Sequence, residues 1–134
     1  MDSVTRARRS EIMSRVRSKD TGPEWAVRRL IHRMGYRYRL HRRDLPGTPD
    51  LVFPGRRKVV FVNGCFWHGH KCALGRMPKS RREFWVPKID GNRRRDARKN
   101  AALRAMGWRA LTVWECQLTA LEKLKNKIRR FLDA

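Results

Sequence analysis

Two apolar runs fix most of what this chain can become. Val59 to Val62, inside "KVVFVNG", is an unbroken β-branched and aromatic stretch, and "WRALTVWE" at 108–115 repeats that character. Strands without a polar alternation are buried on both faces, which places helices above and below their sheet. A helical zone over roughly 80–106 separates the two runs, strongest in "NRRRDARKNAALRAMG", with Ala102, Leu103 and Met106 facing inward and interruptions near Pro87 and Gly91. The second strand therefore returns by a helical crossover and is predicted parallel to a central strand.

Upstream, "DTGPEWAVRRLIHRMG" carries the signals of a helix. Thr21 can cap it, Pro23 suits its first turn, and Glu24 holds the capping-box position. Val27, Leu30, Ile31 and Met34 share one face, and Gly35 ends it. "YRYRL" alternates like a half-exposed strand, and "DLVF", the turn "PGRR" and "KVVFVNG" follow as strand, turn, strand. Leu121, Leu124, Ile128 and Phe131 mark a closing helix. The order is helix, three strands, helix, strand, helix: an α/β fold with a small mixed sheet flanked by helices.

Charge narrows the partners. Among 134 residues, 34 Lys and Arg stand against 12 Asp and Glu, a formal net charge of +22. Self-repulsion on that scale disfavours a compact chain without a polyanion, and nucleic acid is the first candidate. Residues 1–20 read as a basic arm preceding a single domain over 21–134, with isolated apolar side chains such as Met13. No apolar run reaches the roughly 20 residues of a membrane span, and "MDSVTRARRS" lacks a hydrophobic signal core. A cytoplasmic protein with no membrane partner is the expectation. Three cysteines make a disulfide framework a poor reading.

"NGCFWHGHKC", residues 63–72, concentrates the chemistry. Cys65, His70 and Cys72 lie close in sequence, and Cys116 directly follows the last strand. If the two buried strands are neighbours, the four form a Cys₃His set for structural zinc, which takes four N or S ligands. Buried thiols are the plain alternative. "GTPD" ends at Asp50, ahead of a strand; Pro-Asp is half of a nuclease signature in which the acid holds Mg²⁺, and it is also a common turn. The usual acid-x-Lys half is missing, leaving Lys58 as either a displaced lysine or a solvated strand-end charge. Glu24 and Asp96 have innocent readings, one as a capping acid and the other as a brake on repulsion among arginines.

Taken together, Asp50, "FVNGCFWHGHKC", "EFWVPKI", "RRRDARKNAALRAMGWRALTVWEC" and "RSEIMSRVRSKDTGPE" resemble the very short patch repair endonucleases, bacterial DNA mismatch enzymes. The resemblance runs from about Arg9 to Cys116. It implies a restriction-endonuclease-like core with a structural zinc site. It also implies Mg²⁺-dependent nicking 5′ to the thymine of a T:G mismatch, the product of 5-methylcytosine deamination. Asp50 and the Val62 backbone carbonyl match the magnesium ligands. His68 matches a histidine acting on the attacking water, with Glu24 as its orienting partner. Cys65, His70, Cys72 and Cys116 match the zinc ligands. Phe66 and Trp67 match aromatics inserted at the mismatch, joined by Met13 from the other groove, and the arm over residues 1–20 contacts DNA. Asn63 replaces a second catalytic histidine that pairs with the acid matching Asp96, and Asn cannot move a proton near neutral pH. A monomer on double-stranded DNA, nucleoid-associated and open to mismatch-repair factors, is the picture implied. The readings from other classes are a non-catalytic zinc-stabilised nucleic-acid-binding protein and a related nickase of different mismatch or sequence specificity.

Overall fold

The computed structural model describes residues 21–40 and 42–134; the expectations for Met13 and the arm at 1–20 fall outside them. Helix α1, Gly22–Arg33, opens on Thr21, whose hydroxyl accepts from the Glu24 N–H at 3.3 Å. Strands β1 (Arg39–Leu40), β2 (Leu51–Phe53) and β3 (Lys58–Asn63) form an antiparallel run, and β4 (Arg109–Trp114) joins as a parallel neighbour of β3. The sheet order is β1-β2-β3-β4. Helix α2, Arg82–Ala105, is the crossover between β3 and β4, and helix α3, Leu121–Asp133, closes the fold.

Both sheet faces are covered, as the unbroken apolar strands require. On one side Leu51, Phe53, Val60, Val62 and Val113 pack with Val27 and Ile31 of α1 and Leu124, Ile128 and Leu132 of α3. On the other, Val52 and Val59 pack with Leu103 of α2, Leu45 and Trp108.

Three expectations need correction. α2 is continuous over 24 residues despite Pro87 and Gly91. Pro87 forfeits one early hydrogen bond, while Ile89, 2% exposed, anchors the helix onto the preceding loop. Met106 is about half exposed rather than inward, and in α3 Leu132 is buried while Leu121, one of the residues that marked the helix, is about half exposed. Only Arg39 and Leu40 of "YRYRL" pair as strand, because the Tyr38 ring turns onto Phe53 and its hydroxyl donates to the Arg28 carbonyl at 3.2 Å.

Lys58 is neither a displaced nuclease lysine nor a solvated charge. It is buried at the start of β3, and its ammonium donates to the carbonyls of Phe131, Leu132 and Ala134 at 2.7, 3.2 and 2.7 Å. Arg56 adds a bond to the Leu132 carbonyl at 2.7 Å. These cations satisfy the last carbonyls of α3 and oppose its dipole. Replacing Lys58→Met should lower the unfolding free energy by about 2 kcal/mol. Urea denaturation checks this, and an unchanged midpoint would show the cap to be idle.

Candidate active site

Asp50 sits where β2 begins, delivered by a tight turn in which Gly47 and Thr48 both adopt positive φ. A Cβ on Gly47 would lie 2.7 Å from the Lys99 side chain, so the turn rides against α2. The Asp50 carboxylate is 9% exposed, and its Oδ2 accepts from the Val62 N–H at 2.6 Å. Desolvation pushes its pKa up to about 7; the Val62 hydrogen bond opposes that, the Glu24 charge adds to it, and Arg28 and His68 oppose it. Residues from α1, β2 and the loop after β3 thus share one electrostatic site.

Glu24 is 2% exposed and accepts from the Arg28 guanidinium at 3.1 Å, one helical turn on. The resemblance made Glu24 the orienting partner of His68; the hydrogen bond from His68 Nδ1 goes instead to Asp96 Oδ2, at 2.5 Å. The reason is placement: Asp96 projects from α2, which crosses over the loop carrying His68, whereas Glu24 is on α1 beside Arg28. With Nδ1 donating to the carboxylate, Nε2 is the ring nitrogen left to take a proton. Asn63 ends β3, 8% exposed, lining a recess under α2 together with Asp96. Val62 meets Asp50 through its N–H, as above.

Cys65, His70, Cys72 and Cys116 come together, their ligand atoms all within 4.8 Å of one another. The parallel pairing Asn63↔Trp114 brings the two chain segments side by side. Cys116 N–H points at Cys65 Sγ at 3.4 Å, Cys116 Sγ lies 3.5 Å from His70 Nδ1, and the His70 ring stacks on Trp114 with centroids 4.2 Å apart. A Cβ on Gly75 would fall 2.0 Å from the His70 carbonyl oxygen, so this loop closes only with glycine there. Burial above all, with the neighbouring Cys72 and Cys116 thiols adding to it and the Cys116 N–H opposing it, pushes the Cys65 thiol up to about 12. Three sulfurs and an imidazole at this spacing fit a metal ion, whose charge would favour the thiolates.

Between Cys65 and His70 the loop carries Phe66, Trp67 and His68. Phe66 and Trp67 do not stand alone. Trp85, in the first turn of α2, packs edge-on to both at 5.1 and 5.7 Å, and Phe84 packs edge-on to Trp85 at 4.9 Å while 44% exposed. Lys88 lies 5.8 Å from the Trp67 ring centroid. Asn92 donates to the Trp67 carbonyl at 2.8 Å, and a Cβ on Gly69 (φ +63) would meet Ile89 and Arg93 below 3 Å. Trp85 and Arg28 were missed as site residues. The signal for Trp85 was two adjacent aromatics in a stretch otherwise basic; Arg28 offered none, being one arginine among many.

A family model described as DNA mismatch endonuclease Vsr matches residues 1–74. The chain is 58% identical over 132 residues to the type II nicking enzyme V.XorIIP of Xanthomonas oryzae, covering 98% of this chain and 97% of that one. It is 42% identical over 126 residues to the DNA mismatch endonuclease Vsr of Escherichia coli, covering 94% and 81%. The catalytic domain of the homing endonuclease I-Bth0305I superposes with a TM-score of 0.57 at 22% identity, over 84% of this chain and 94% of its own. That last likeness speaks for the fold, a restriction-endonuclease-like core.

Asp50 also predicts a pH-dependent stability. Free of metal, the folded protein keeps this group protonated up to about pH 7, against an ordinary value of 3.8 in the unfolded chain. Between those values the folded state binds more protons, so the group's contribution is complete below the unfolded pKa and is lost as pH rises through about 7. In EDTA at about pH 8, Asp50→Asn should therefore melt several degrees above the parent, and near pH 4 the two should converge. Coincident melts at the higher pH would refute a desolvated carboxylate.

Proposed function

The chain belongs to the Vsr family of DNA mismatch endonucleases, and from that premise we propose that this DNA endonuclease nicks, with magnesium, 5′ to the thymine of a T:G mismatch. One observation carries the reading. A buried carboxylate and a carboxylate-held imidazole share one sheet end, beside an aromatic cluster, in a chain of charge +22. A purely binding module gains nothing from desolvating an acid where phosphates must approach.

Asp50 and the Val62 backbone carbonyl would hold the magnesium, which when bound neutralises charge on the scissile phosphate and activates water. His68 accepts a proton from the attacking water through Nε2, while Asp96 fixes its tautomer and supports the imidazolium that forms. Glu24 and Arg28 set the field around Asp50. Asn63 holds position without transferring a proton. The Cys₃His cluster takes zinc, in keeping with its donor set, and braces the loop that carries both His68 and the aromatics. Phe66 and Trp67, extended by Trp85 and met by Met13 from the other groove, enter beside the mismatch. Unstacking a base step costs about a few kcal/mol, and a wobble pair resists less than a matched pair, so insertion itself discriminates. The arm at 1–20 and the arginines of α2 contact phosphates. A monomer with one such site cuts one strand, in keeping with relatives named nicking enzymes.

Asp50→Ala should bind a T:G duplex as the parent does and leave it uncut in Mg²⁺. The parent should nick T:G duplex and spare T:A and C:G duplexes of the same flanks; equal nicking of all three would remove the mismatch claim. Protein purified without chelator should hold one equivalent of zinc. Cys116→Ser should lose the metal and at least about tenfold in nicking rate. Metal analysis returning no zinc in the parent would end that part of the reading.

A further inference from the structure

Beneath α2, at the active-site end of the sheet, lies a recess of about 10 Å³ lined by Phe61, Asn63, Asp96, Lys99, Asn100 and Thr112. That is about the room one water needs. Strand alternation puts Phe61 and Asn63 on the sheet face turned to α2, with Thr112 in register beside Phe61. Asp96, Lys99 and Asn100 follow at the three- and four-residue spacing that shares a helix face. Within this lining the Oδ1 atom of Asn100 is buried and accepts no hydrogen bond from the described residues. Buried acceptors of this kind are normally served by ordered water.

We propose that one ordered water in this recess links Asn100 to the Asp96 carboxylate, making Asn100 and Asn63 positioning residues for His68. The proposal rests on the reading of His68 as the base. The water donates one hydrogen to Asn100 Oδ1 and the other to Asp96, and accepts from the Asn63 amide and the Thr112 hydroxyl, its full complement of four. Asp96 holds His68 through Oδ2. A second anchor on the same carboxylate stops it rotating away and so fixes the imidazole. Asn63 thereby has a task that needs no proton transfer.

The test compares the parent with Asn100→Ala, Asn100→Ser and Thr112→Val. The readouts are single-turnover nicking of a T:G duplex, duplex affinity, and the His68 Nδ1 proton in ¹⁵N-edited NMR spectra. Asn100→Ala should nick about tenfold more slowly at unchanged affinity, with the His68 proton signal broadened by faster exchange with solvent. Asn100→Ser, which restores an acceptor, should recover part of both, and Thr112→Val should lose less of each. An Asn100→Ala protein with the parent's proton signal overturns the proposal, whatever its rate. Should Asn100→Ala not fold, Thr112→Val alone decides on the same signal. If Asn100 controls the His68 signal in a parent that cuts no duplex, the network stands and the nuclease reading falls, so the two failures are distinct.

Discussion

The parallel register of β3 and β4 is the constraint on which the rest depends. Pairing from Lys58↔Arg109 to Asn63↔Trp114 ends both strands at the same level. The chain leaving β3 enters the Cys65 loop, and the chain leaving β4 meets it at Cys116. A one-residue slip would turn Val60 and Val62 away from α1 and α3 and carry Cys116 out of reach of His70. The apolar core and the metal-ready cluster are therefore specified by the same hydrogen-bond ladder. Neither can be altered without disturbing the other.

Against that frame, the acidic groups are few and unevenly used. Glu24, Asp50 and Asp96 are withdrawn from solvent to different degrees in a molecule with a large positive excess. Glu24 is matched by Arg28 and Asp96 by His68, but among the described residues Asp50 has only the Val62 N–H as its direct hydrogen-bond donor. One amide does not replace the hydration of a carboxylate, which is why its pKa climbs. The site is costly as it stands, and under the proposed reading a cation would relieve it.

Much of this was legible in the sequence, for identifiable reasons. Unbroken apolar runs gave the buried strands, the crossover gave their parallel pairing, and Thr21 with Pro23 marked the start of α1. The four cysteine and histidine positions were readable because strand ends that pair must lie side by side. What was not legible depends on three-dimensional context. Pro87 looks like a break until Ile89 is seen to pin the helix. Lys58 looks like any strand-end lysine until α3 ends above it. The bond from His68 to Asp96, where the resemblance implied Glu24, was not readable, because both acids lie far from His68 along the chain and only the path of α2 brings Asp96 to it.

That path also bears on how recognition and chemistry are joined under the proposed reading. Phe66, Trp67 and His68 are consecutive, held between Cys65 and His70 on one flank and by Asn92, Ile89 and Arg93 on the other. A segment so short and so clamped cannot move its aromatics independently of its imidazole. An aromatic pair refused by a well-stacked duplex would hold His68 back from the phosphate, whereas one admitted at a wobble pair would seat it. Discrimination would then appear in the rate of cutting as well as in affinity, since the geometry that rewards entry is the geometry that aligns the base. The clamp on α2 and the Cys₃His cluster would be what makes that coupling stiff, and a loop free of either would bind distorted DNA without translating the distortion into cleavage.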